Sequence, residues 1–425
     1  MCYPTIQEGA GVSAPETTSM SARSFEDLNN PQPPWRDLLR RRDTAAAVRA
    51  LEQAAKNQPD SLPIAFDLGR AYGALGRFEE ARQQFERAVA WPGQECRTYL
   101  ALGYTLGELS DWHAAARALL VVLQAAPGHL RALGSLSECA HRLARRGEQV
   151  PRNKRSGASA PAGKREGAIS VIVCSIDRAK LARLQANLQT LLCGEDWELI
   201  HIADARSLCE GYNRGVARAR GEILVFCHDD IAILCPDFAS RLRTHLASFD
   251  LLGVAGSTLA AGPTWTWSGA PHAFASIAYP RAGTDEVQLA TCGTSGPVVK
   301  NAQLLDGVFM AGRRDLLQRV PFDEGTFDGF HLYDLDFSYR AWLSGARTAI
   351  CRDVAICHES RGRFKTADYR RYAERFRRKF PAACLAPAAT KALFAEIAID
   401  KTSLLQPTLD WLNCLADPPN AEHVG

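Results

Sequence analysis

Three groups of polar residues that could do chemistry each follow a short apolar run in the second half of the chain. The groups are Ser175-Ile176-Asp177-Arg178 after residues 169–174, Asp204 after residues 198–202, and His228-Asp229-Asp230 after residues 223–227. Adjacent carboxylates just past an apolar strand are costly when they are buried without a partner, and a hard divalent cation is their usual partner. A solvated turn is the alternative for this Asp-Asp pair.

The elements that must position these groups alternate between two kinds of pattern. Apolar runs at 169–174, 198–202 and 223–227 predict strands, and residues 181–192 and 212–219 between them predict helices. Strand, helix, strand, helix, strand is typical of a parallel sheet covered by helices. In such sheets ligands bind beyond the carboxyl ends of the strands. The three polar groups are therefore expected to share one ligand-binding edge.

Four motifs in order resemble those of family 2 glycosyltransferases of the GT-A fold, over residues 168 to about 380. They are Asn213-Arg214-Gly215 with Ala219-Arg220-Gly221 and Phe226-Cys227-His228-Asp229-Asp230, then Leu305-Asp306-Gly307-Val308-Phe309-Met310-Ala311-Gly312-Arg313-Arg314, then Tyr333-Asp334-Leu335-Asp336-Phe337-Ser338-Tyr339-Arg340, and finally His358-Glu359-Ser360. In the family these are the Asn-x-Gly to Asp-x-Asp stretch, the acceptor-side Arg-Arg segment, the Glu-Asp-x-Asp element and the late metal-binding His.

The resemblance implies a metal-dependent transfer from a nucleotide-sugar donor to an acceptor hydroxyl. Mg²⁺ or Mn²⁺ held by Asp230, with His358 and His228 as further ligands, would neutralise the charge on the diphosphate leaving group. Asp334 would be the general base for the attacking hydroxyl, with inversion of configuration. Asp336 either assists the base and the acceptor or caps a helix N-terminus.

The resemblance also implies which residues bind the donor. These are Ser175, Asp177, Asp204, Asn213 and Asp229. The acceptor, whether glycan, lipid-linked or protein, is not implied.

Two residues depart from the family pattern. His228 replaces the first Asp of the Asp-x-Asp motif, and Tyr333 replaces the Glu before the predicted base. The His-Asp-Asp triplet also resembles a glycosyltransferase-like subgroup that carries it at this place. An inactive glycosyltransferase-like scaffold or binding protein is the alternative function. Nucleotidyl transfer is a further one, but no Gly-rich, Arg-containing phosphate loop follows the first strand.

The first part of the chain repeats with a period of 34 residues. Leu68-Gly69 aligns with Leu102-Gly103, and Phe78 aligns with Trp112. This is the tetratricopeptide length, and residues 37–147 resemble that family. Small Gly and Ala residues let paired helices approach, and Pro residues stop the second helices. The resemblance implies a surface that binds a protein partner or a large acceptor.

Composition limits the class of protein. The 425 residues carry 50 Lys and Arg against 47 Asp and Glu, and 46% are hydrophobic, which disfavours general disorder and a nucleic-acid partner. Residues 251–280 carry no formal charge but contain Gly and Pro, so no transmembrane segment is expected. No signal peptide is evident, and 13 Cys without a Cys-x-x-Cys pair favour reduced thiols. We expect a cytoplasmic protein.

These observations predict a multidomain chain in which all-α, tetratricopeptide-like repeats precede an α/β GT-A domain. That domain would be Rossmann-like, with a mixed, mostly parallel sheet. The predicted segments are a disordered lead at 1–34, helical repeats at 35–147, a flexible linker at 148–167, the glycosyltransferase domain at 168–384, and a C-terminal helical extension and tail at 385–425.

Overall fold

The computed structural model describes residues 33–151, 167–361, 366–384 and 392–417. Most of the predicted lead and linker therefore lies outside the described residues. The chain forms two compact units that divide between Ala118 and Leu119. Each unit is described separately below.

The first unit consists of antiparallel helices. The helices of the N-terminal region are α1 (Pro34–Arg40), α2 (Thr44–Asn57), α3 (Leu62–Ala74), α4 (Phe78–Ala88), α5 (Glu95–Glu108), α6 (Trp112–Ala125) and α7 (Leu130–Arg145). Gly69, one of the glycines expected to allow close packing, does so. A Cβ on Gly69 would lie 2.9 Å from Cε1 of Phe85, so a side chain there would separate α3 from α4. Tyr72 donates a hydrogen bond to Glu52 Oε1 (2.8 Å), which ties α3 to α2.

The second unit contains the second half of α6, all of α7 and the remaining elements. Its strands are β1 (Ile169–Cys174), β2 (Trp197–Ile202), β3 (Ile223–Cys227), β4 (Ile231–Ile233), β5 (Leu251–Gly253), β6 (Ala255–Ser257), β7 (Ala273–Pro280), β8 (Val287–Cys292), β9 (Val298–Lys300), β10 (Leu304–Leu305), β11 (Phe309–Arg313), β12 (Thr348–Cys351), β13 (Ile356–His358) and β14 (Ala395–Ile399). Its other helices are α8 (Arg178–Leu191), α9 (Leu208–Arg218), α10 (Phe238–Ser248), α11 (Arg314–Arg319), α12 (Tyr333–Leu343), α13 (Ala367–Lys379) and α14 (Leu405–Ala416).

The main sheet has the strand order β2-β1-β3-β11-β5-β12-β9. Strands β2, β1, β3, β5 and β12 run in one direction, and β11 and β9 run against them. The three strands predicted from apolar runs are adjacent, and β1 and β3 are buried throughout except at Cys174. The predicted fold class, helical repeats followed by an α/β domain with a mixed, mostly parallel sheet, is confirmed.

Two helices begin earlier than their apolar periodicity predicts, because polar side chains cap them. Asp177 accepts hydrogen bonds from the backbone amides of Ala179 and Lys180, so α8 begins at Arg178. Ser207 accepts one from the amide of Glu210, so α9 begins at Leu208.

A second sheet forms from residues that gave no strand prediction. Its order is β10-β6-β7-β13-β4, with β8 pairing with β7 and β14 pairing with β8. Part of it comes from the charge-free stretch, as β6 and β7. The pairing of β13 with β4 is antiparallel and sets His358 opposite Ile231.

The last repeat helix and the C-terminal extension differ from the prediction. Helix α7, expected to end the repeats, packs on α14, where His141 Nδ1 lies 3.2 Å from Thr408 Oγ1. The extension, expected to be helical, also contributes strand β14, whose buried ends Ala395 and Ile399 face the core. No helix in the described part of the chain is long and apolar enough to cross a membrane.

Candidate functional site

The carboxyl ends of β1 and β3 bring two predicted donor residues together. Ser175, the first residue after β1, donates a hydrogen bond to Asp229 Oδ2 (2.5 Å) across the sheet edge. Ser175 is 6% exposed. The adjacent exposed residue is Ile176 (90% exposed), so the turn after β1 presents an apolar side chain to solvent beside this hydrogen bond.

The second sheet positions His358, the last predicted metal ligand, at the same edge of the main sheet. Because β13 pairs with β4, His358 lies beside the residue that precedes β4, Asp230, and the backbone amide of Glu359 donates to Asp230 O (2.9 Å). The side chains meet as well, with His358 Nε2 3.0 Å from Asp230 Oδ1. A bidentate ion pair between Arg183 and Glu359 ties the end of β13 to α8.

The three predicted metal ligands form one cluster, called here the His-Asp-His cluster. The ligand atoms of His228, Asp230 and His358 lie within 4.8 Å of one another. His228 Nδ1 is 3.3 Å from His358 Nε2 and 4.0 Å from Asp230 Oδ1. Burial lowers the pKa of His228, and the neighbouring His358 lowers it further, so its imidazole is neutral at pH 7. A neutral imidazole is the form that binds a metal.

Charge in the His-Asp-His cluster is held on Asp230. Burial alone would raise the pKa of Asp230, but the hydrogen bond and charge of His358 outweigh burial and lower it. Lys180 Nζ lies 3.3 Å from Asp230 Oδ2, on the other side of the carboxylate. Asp230 is therefore an ionised carboxylate that already attracts positive charge.

His228 and Tyr333, the two residues that depart from the family pattern, contact each other. The Tyr333 hydroxyl donates to Gly307 O (3.3 Å), and its oxygen lies 3.4 Å from His228 Nε2. If that nitrogen carries the proton and donates to Tyr333, Nδ1 of His228 keeps its lone pair, directed at Asp230 and His358. A Cβ on Gly307 would lie 2.1 Å from the Tyr333 hydroxyl oxygen, so only glycine allows this contact.

The predicted base, Asp334, is held at the start of α12. Leu332 adopts a left-handed backbone conformation (φ 59°) before the helix, and Gly307 N donates to Asp334 Oδ2 (2.7 Å). Burial raises the pKa of Asp334 to about 7, and the nearby charge of Asp306 contributes. A carboxylate with a pKa near neutrality is suited to general base catalysis.

Asp336 is not brought to the cluster. Its side chain is fully buried and pairs with Arg340 Nε (2.8 Å) and Lys379 Nζ (2.6 Å). It does not cap α12 either, since the residue at the cap is Leu332 and no side chain makes a cap hydrogen bond there. Asp336 joins α12 to α13, which makes it a residue that positions the helix carrying Asp334.

The remaining predicted donor residues are also engaged in local contacts. Asp177 caps α8, and the backbone amides it accepts from lower its pKa. Asp204 is exposed and pairs with Arg214 (2.9 Å). Both ends of the Asn213 amide bond the backbone of Phe322, at 2.9 and 3.0 Å, so this side chain links α9 to the segment before α12.

Sequence reasoning missed two residues of the site. Lys180 gave no signal except its place in the first turn after the Asp177 cap. Asp306 lay in the stretch that carried the acceptor-side motif but was given no role, and it accepts from Val308 N (2.9 Å) and from Trp265 Nε1 (2.8 Å). Trp265 is 3% exposed, and its hydrogen bond orients Asp306.

A second group of possible ligands lies at another place in the domain. It consists of His245, Cys351 and Asp353. His245 Nε2 lies 3.0 Å from both oxygens of Asp353, and Arg241 Nη1 is 3.5 Å from the same carboxylate. Burial raises the pKa of Cys351 well above its usual value. A protonated thiol and an adjacent guanidinium make this a structural network rather than a cation site.

Comparison with known families decides what this domain is. Residues 170–380 match the family described as "Glycosyltransferase like family", and residues 38–102 match "Tetratricopeptide repeat". The chain carries a glycosyltransferase-like domain behind tetratricopeptide repeats. Every predicted site residue lies within the glycosyltransferase-like domain. No curated protein matches the chain.

Solved structures similar to the chain are tetratricopeptide proteins. MamA from Desulfovibrio magneticus RS-1 is 22% identical over 25% of this chain and 61% of its own, with a TM-score of 0.24. The second TPR domain of human RPAP3, in complex with an HSP70 peptide, is 17% identical over 25% and 88% (TM-score 0.24). YrrB, described as having an unusual peptide-binding site, is 18% identical over 27% and 57% (TM-score 0.24). The chain thus spans about three fifths of the MamA structure.

Proposed function

We propose that the glycosyltransferase-like domain transfers a sugar from a nucleotide-sugar donor to an acceptor hydroxyl, with inversion, and that it uses a divalent cation. The observation that carries this proposal is the His-Asp-His cluster at the carboxyl edge of the main sheet. Asp334, on α12, is linked to the cluster through Gly307 and Tyr333. The turn at Gly307 thus connects the proposed base to the proposed cation site. A single displacement requires such groups to be held in fixed positions relative to each other.

The donor set fits a divalent cation. One carboxylate and two imidazoles suit Mn²⁺ better than Mg²⁺, which prefers oxygen ligands. Bound there, the cation would offset the negative charge of the diphosphate leaving group. His228, Asp230 and His358 would hold it, and Tyr333 would fix the ring of His228, as partners outside the ligand set do in metal sites.

Other residues of this chain have their own parts. Asp334, oriented by Gly307 N, would take the proton from the acceptor hydroxyl as that oxygen attacks the anomeric carbon. Lys180 would turn from Asp230 toward the leaving diphosphate and add a second positive charge. The tetratricopeptide repeats would bind a protein partner or hold a large acceptor.

Calorimetric titration with a panel of nucleotide sugars tests the proposal, each donor with Mn²⁺ and with chelator. We expect one donor to bind only with Mn²⁺, and Asp230→Ala to abolish that binding. Asp60→Ala is the matched control, since Asp60 is an exposed carboxylate among the helical repeats. Absence of donor binding by the folded wild type would favour the alternative, a scaffold with an inactive transferase domain. The two departures that motivate it are His228 and Tyr333.

A further inference from the structure

A small pocket lies beside the start of α12. Its volume is about 250 Å³, and its lining includes Arg206, Asp328, Phe330, His331, Arg371 and Tyr372. We call it the Phe330 pocket. Phe330 and His331 come just before α12, whose second residue is Asp334. The pocket therefore adjoins the segment that carries the proposed base, and none of the roles assigned above uses it.

The loop that forms the pocket is firmly anchored. Tyr372 donates to Asp328 Oδ1 (2.9 Å), and Arg375 donates to Thr326 O (2.7 Å), which fixes the loop to α13. On the other side, Leu208 N donates to Gly329 O (3.0 Å) at the start of α9. A Cβ on Gly329 would lie 2.2 Å from the Tyr372 hydroxyl oxygen, so the loop and α13 are in close contact.

An exposed ring on this anchored loop is unusual. Phe330 is 56% exposed, although the backbone that carries it is held from two sides. Burying an aromatic side chain is favourable, so an exposed one on a fixed loop leaves apolar surface available for a ligand. Next to it, the ring of His331 packs edge-on against Tyr369, at 5.7 Å between centroids.

The polar groups around Phe330 are planar and charged. The side chain of Arg206 is 83% exposed, and its ion pair with Glu210 is long, at 3.9 Å. Arg371 donates to the Tyr372 hydroxyl (3.1 Å) and lies 3.4 Å from Asp368. Guanidinium groups present several donors in fixed directions, and carboxylates accept in pairs. Such groups bind adjacent hydroxyls on a ring well.

This combination selects among ligand classes. A sugar ring has an apolar C–H face that stacks on an aromatic side chain and a rim of hydroxyls that bonds to charged planar groups. An acyl chain would need a continuous apolar lining, which two Arg and two Asp residues interrupt. The volume is below the ~300–1,000 Å³ of pockets for drug-sized ligands, so it suits one ring.

We propose that the Phe330 pocket binds one sugar residue of a saccharide acceptor, with Phe330 stacking on the ring and Arg206 and Arg371 binding its hydroxyls. The acceptor is then a glycan rather than a lipid or a protein side chain. This rests on the proposed function, because the pocket is assigned to the acceptor by its place on the loop that leads into α12, the helix that carries Asp334.

Saturation-transfer NMR on the full chain tests the proposal. The probes are methyl glycosides of glucose, galactose, mannose, rhamnose, N-acetylglucosamine and glucuronic acid at millimolar concentration. We expect at least one to bind the wild type and to bind Phe330→Ala about 3- to 10-fold more weakly, as the loss of an aromatic contact predicts. Phe330→Trp should retain binding. Leu343→Ala is the matched control, because Leu343 is an equally exposed apolar residue at the other end of α12.

Two results would overturn the proposal: no glycoside binds the wild type, or Phe330→Ala binds as the wild type does. Calorimetry of Mn²⁺-dependent donor binding on the same preparations separates the two proposals. A protein that binds a nucleotide sugar and no glycoside refutes the acceptor pocket alone. A protein that binds glycosides through Phe330 but no nucleotide sugar refutes the transferase and, with it, the acceptor role of the pocket.

Discussion

Asp306 and Asp334 accept hydrogen bonds from consecutive backbone amides. Val308 N donates to Asp306 Oδ1 at 2.9 Å, and Gly307 N donates to Asp334 Oδ2 at 2.7 Å. One turn thus holds two carboxylates close together in a partly buried place, where two negative charges repel. The result is a carboxyl group, that of Asp334, with its pKa raised to about 7. This relationship links the pH dependence of activity to the stability of the fold.

The first prediction concerns the pH profile of transfer. Asp334 must be ionised to accept a proton, so kcat/KM should fall as the pH is lowered through about 7. Asp306→Asn removes the neighbouring charge and should move this acid limb to lower pH by about one unit. Asp315→Asn, at an exposed carboxylate on α11, should leave it unchanged. An acid limb near pH 4 in the wild type would contradict the base assignment.

The second prediction concerns stability. The pKa of Asp334 is higher in the folded chain than in the unfolded one, so its contribution is fully present below about pH 4 and is lost as the pH rises through about 7. Asp334→Asn should therefore stabilise the protein at pH 8, on the order of 1–3 kcal/mol, while transfer is lost. Thermal unfolding at pH 5 and pH 8 measures this, and the gain should be smaller at pH 5.

Burial raises the pKa of Asp336 as well, but its variant should behave in the opposite way, because it leaves two partly buried cations without their shared carboxylate. Asp336→Asn leaves Arg340 and Lys379 without a buried ionised partner, although Lys379 keeps Asp323. We expect it to destabilise the fold by about 1–3 kcal/mol. Equal shifts in the two variants, two residues apart on one helix, would mean that the burial and pairing described for them do not determine their stability.

The third prediction concerns the choice of metal. Two imidazole ligands should give Mn²⁺ a clear preference over Mg²⁺ in calorimetric titration. His228→Asp replaces a nitrogen ligand with oxygen and should reduce this preference about tenfold or more. For the wild type, Mn²⁺ affinity should fall with decreasing pH, and the part of this fall that His228 causes should come below the usual range of histidine, because burial lowers the pKa of His228. No change of metal preference in His228→Asp would remove His228 from the ligand set.

Three adjacent strands of the main sheet, β2, β1 and β3, could be predicted from sequence, and β1 and β3 are buried apolar runs. The first residues of α8 and α9 could have been predicted better, since Asp177 and Ser207 are ordinary N-cap residues. The second sheet could not be predicted, because β6 and β7 lie in a Gly-rich, charge-free stretch with no alternation of apolar and polar residues. Strands β6 and β7 are buried on both faces, with only Pro280 exposed.

The candidate site was predictable to a similar degree. The order of the motifs predicted Asp230, His358 and Asp334. In the fold, Asp230 lies just beyond the end of β3, and the pairing of β13 with β4 brings His358 beside it. Asp334 lies at the start of α12, where Gly307 N holds it. Spacing could not show that Asp336 faces α13, since that depends on Lys379, far along the chain. It also could not show the contact of His228 with Tyr333, which needs the Gly307 turn between two elements.

The fourth prediction concerns Lys180, whose ammonium lies 3.3 Å from Asp230 Oδ2. Burial alone would lower the pKa of Lys180, but Asp230 outweighs burial and raises it, so the lysine is charged and competes with a cation for the same carboxylate. Lys180→Met should tighten the binding of Mn²⁺ alone by roughly 2- to 5-fold, since a partly exposed ion pair is worth on the order of 1 kcal/mol or less. The same variant should weaken nucleotide-sugar binding, because the diphosphate loses a positive partner.

Tighter binding of Mn²⁺ together with weaker binding of the nucleotide sugar would indicate a lysine that moves from the metal ligand to the leaving group. Arg178→Met, two positions earlier on α8 and exposed, is the matched control and should change neither affinity. If Lys180→Met weakened the binding of Mn²⁺ as well, the ammonium would be holding Asp230 in place for the cation rather than competing with it. If neither affinity changed, Lys180 would have no part in binding either ligand, and the charge on the diphosphate would be left to the His-Asp-His cluster.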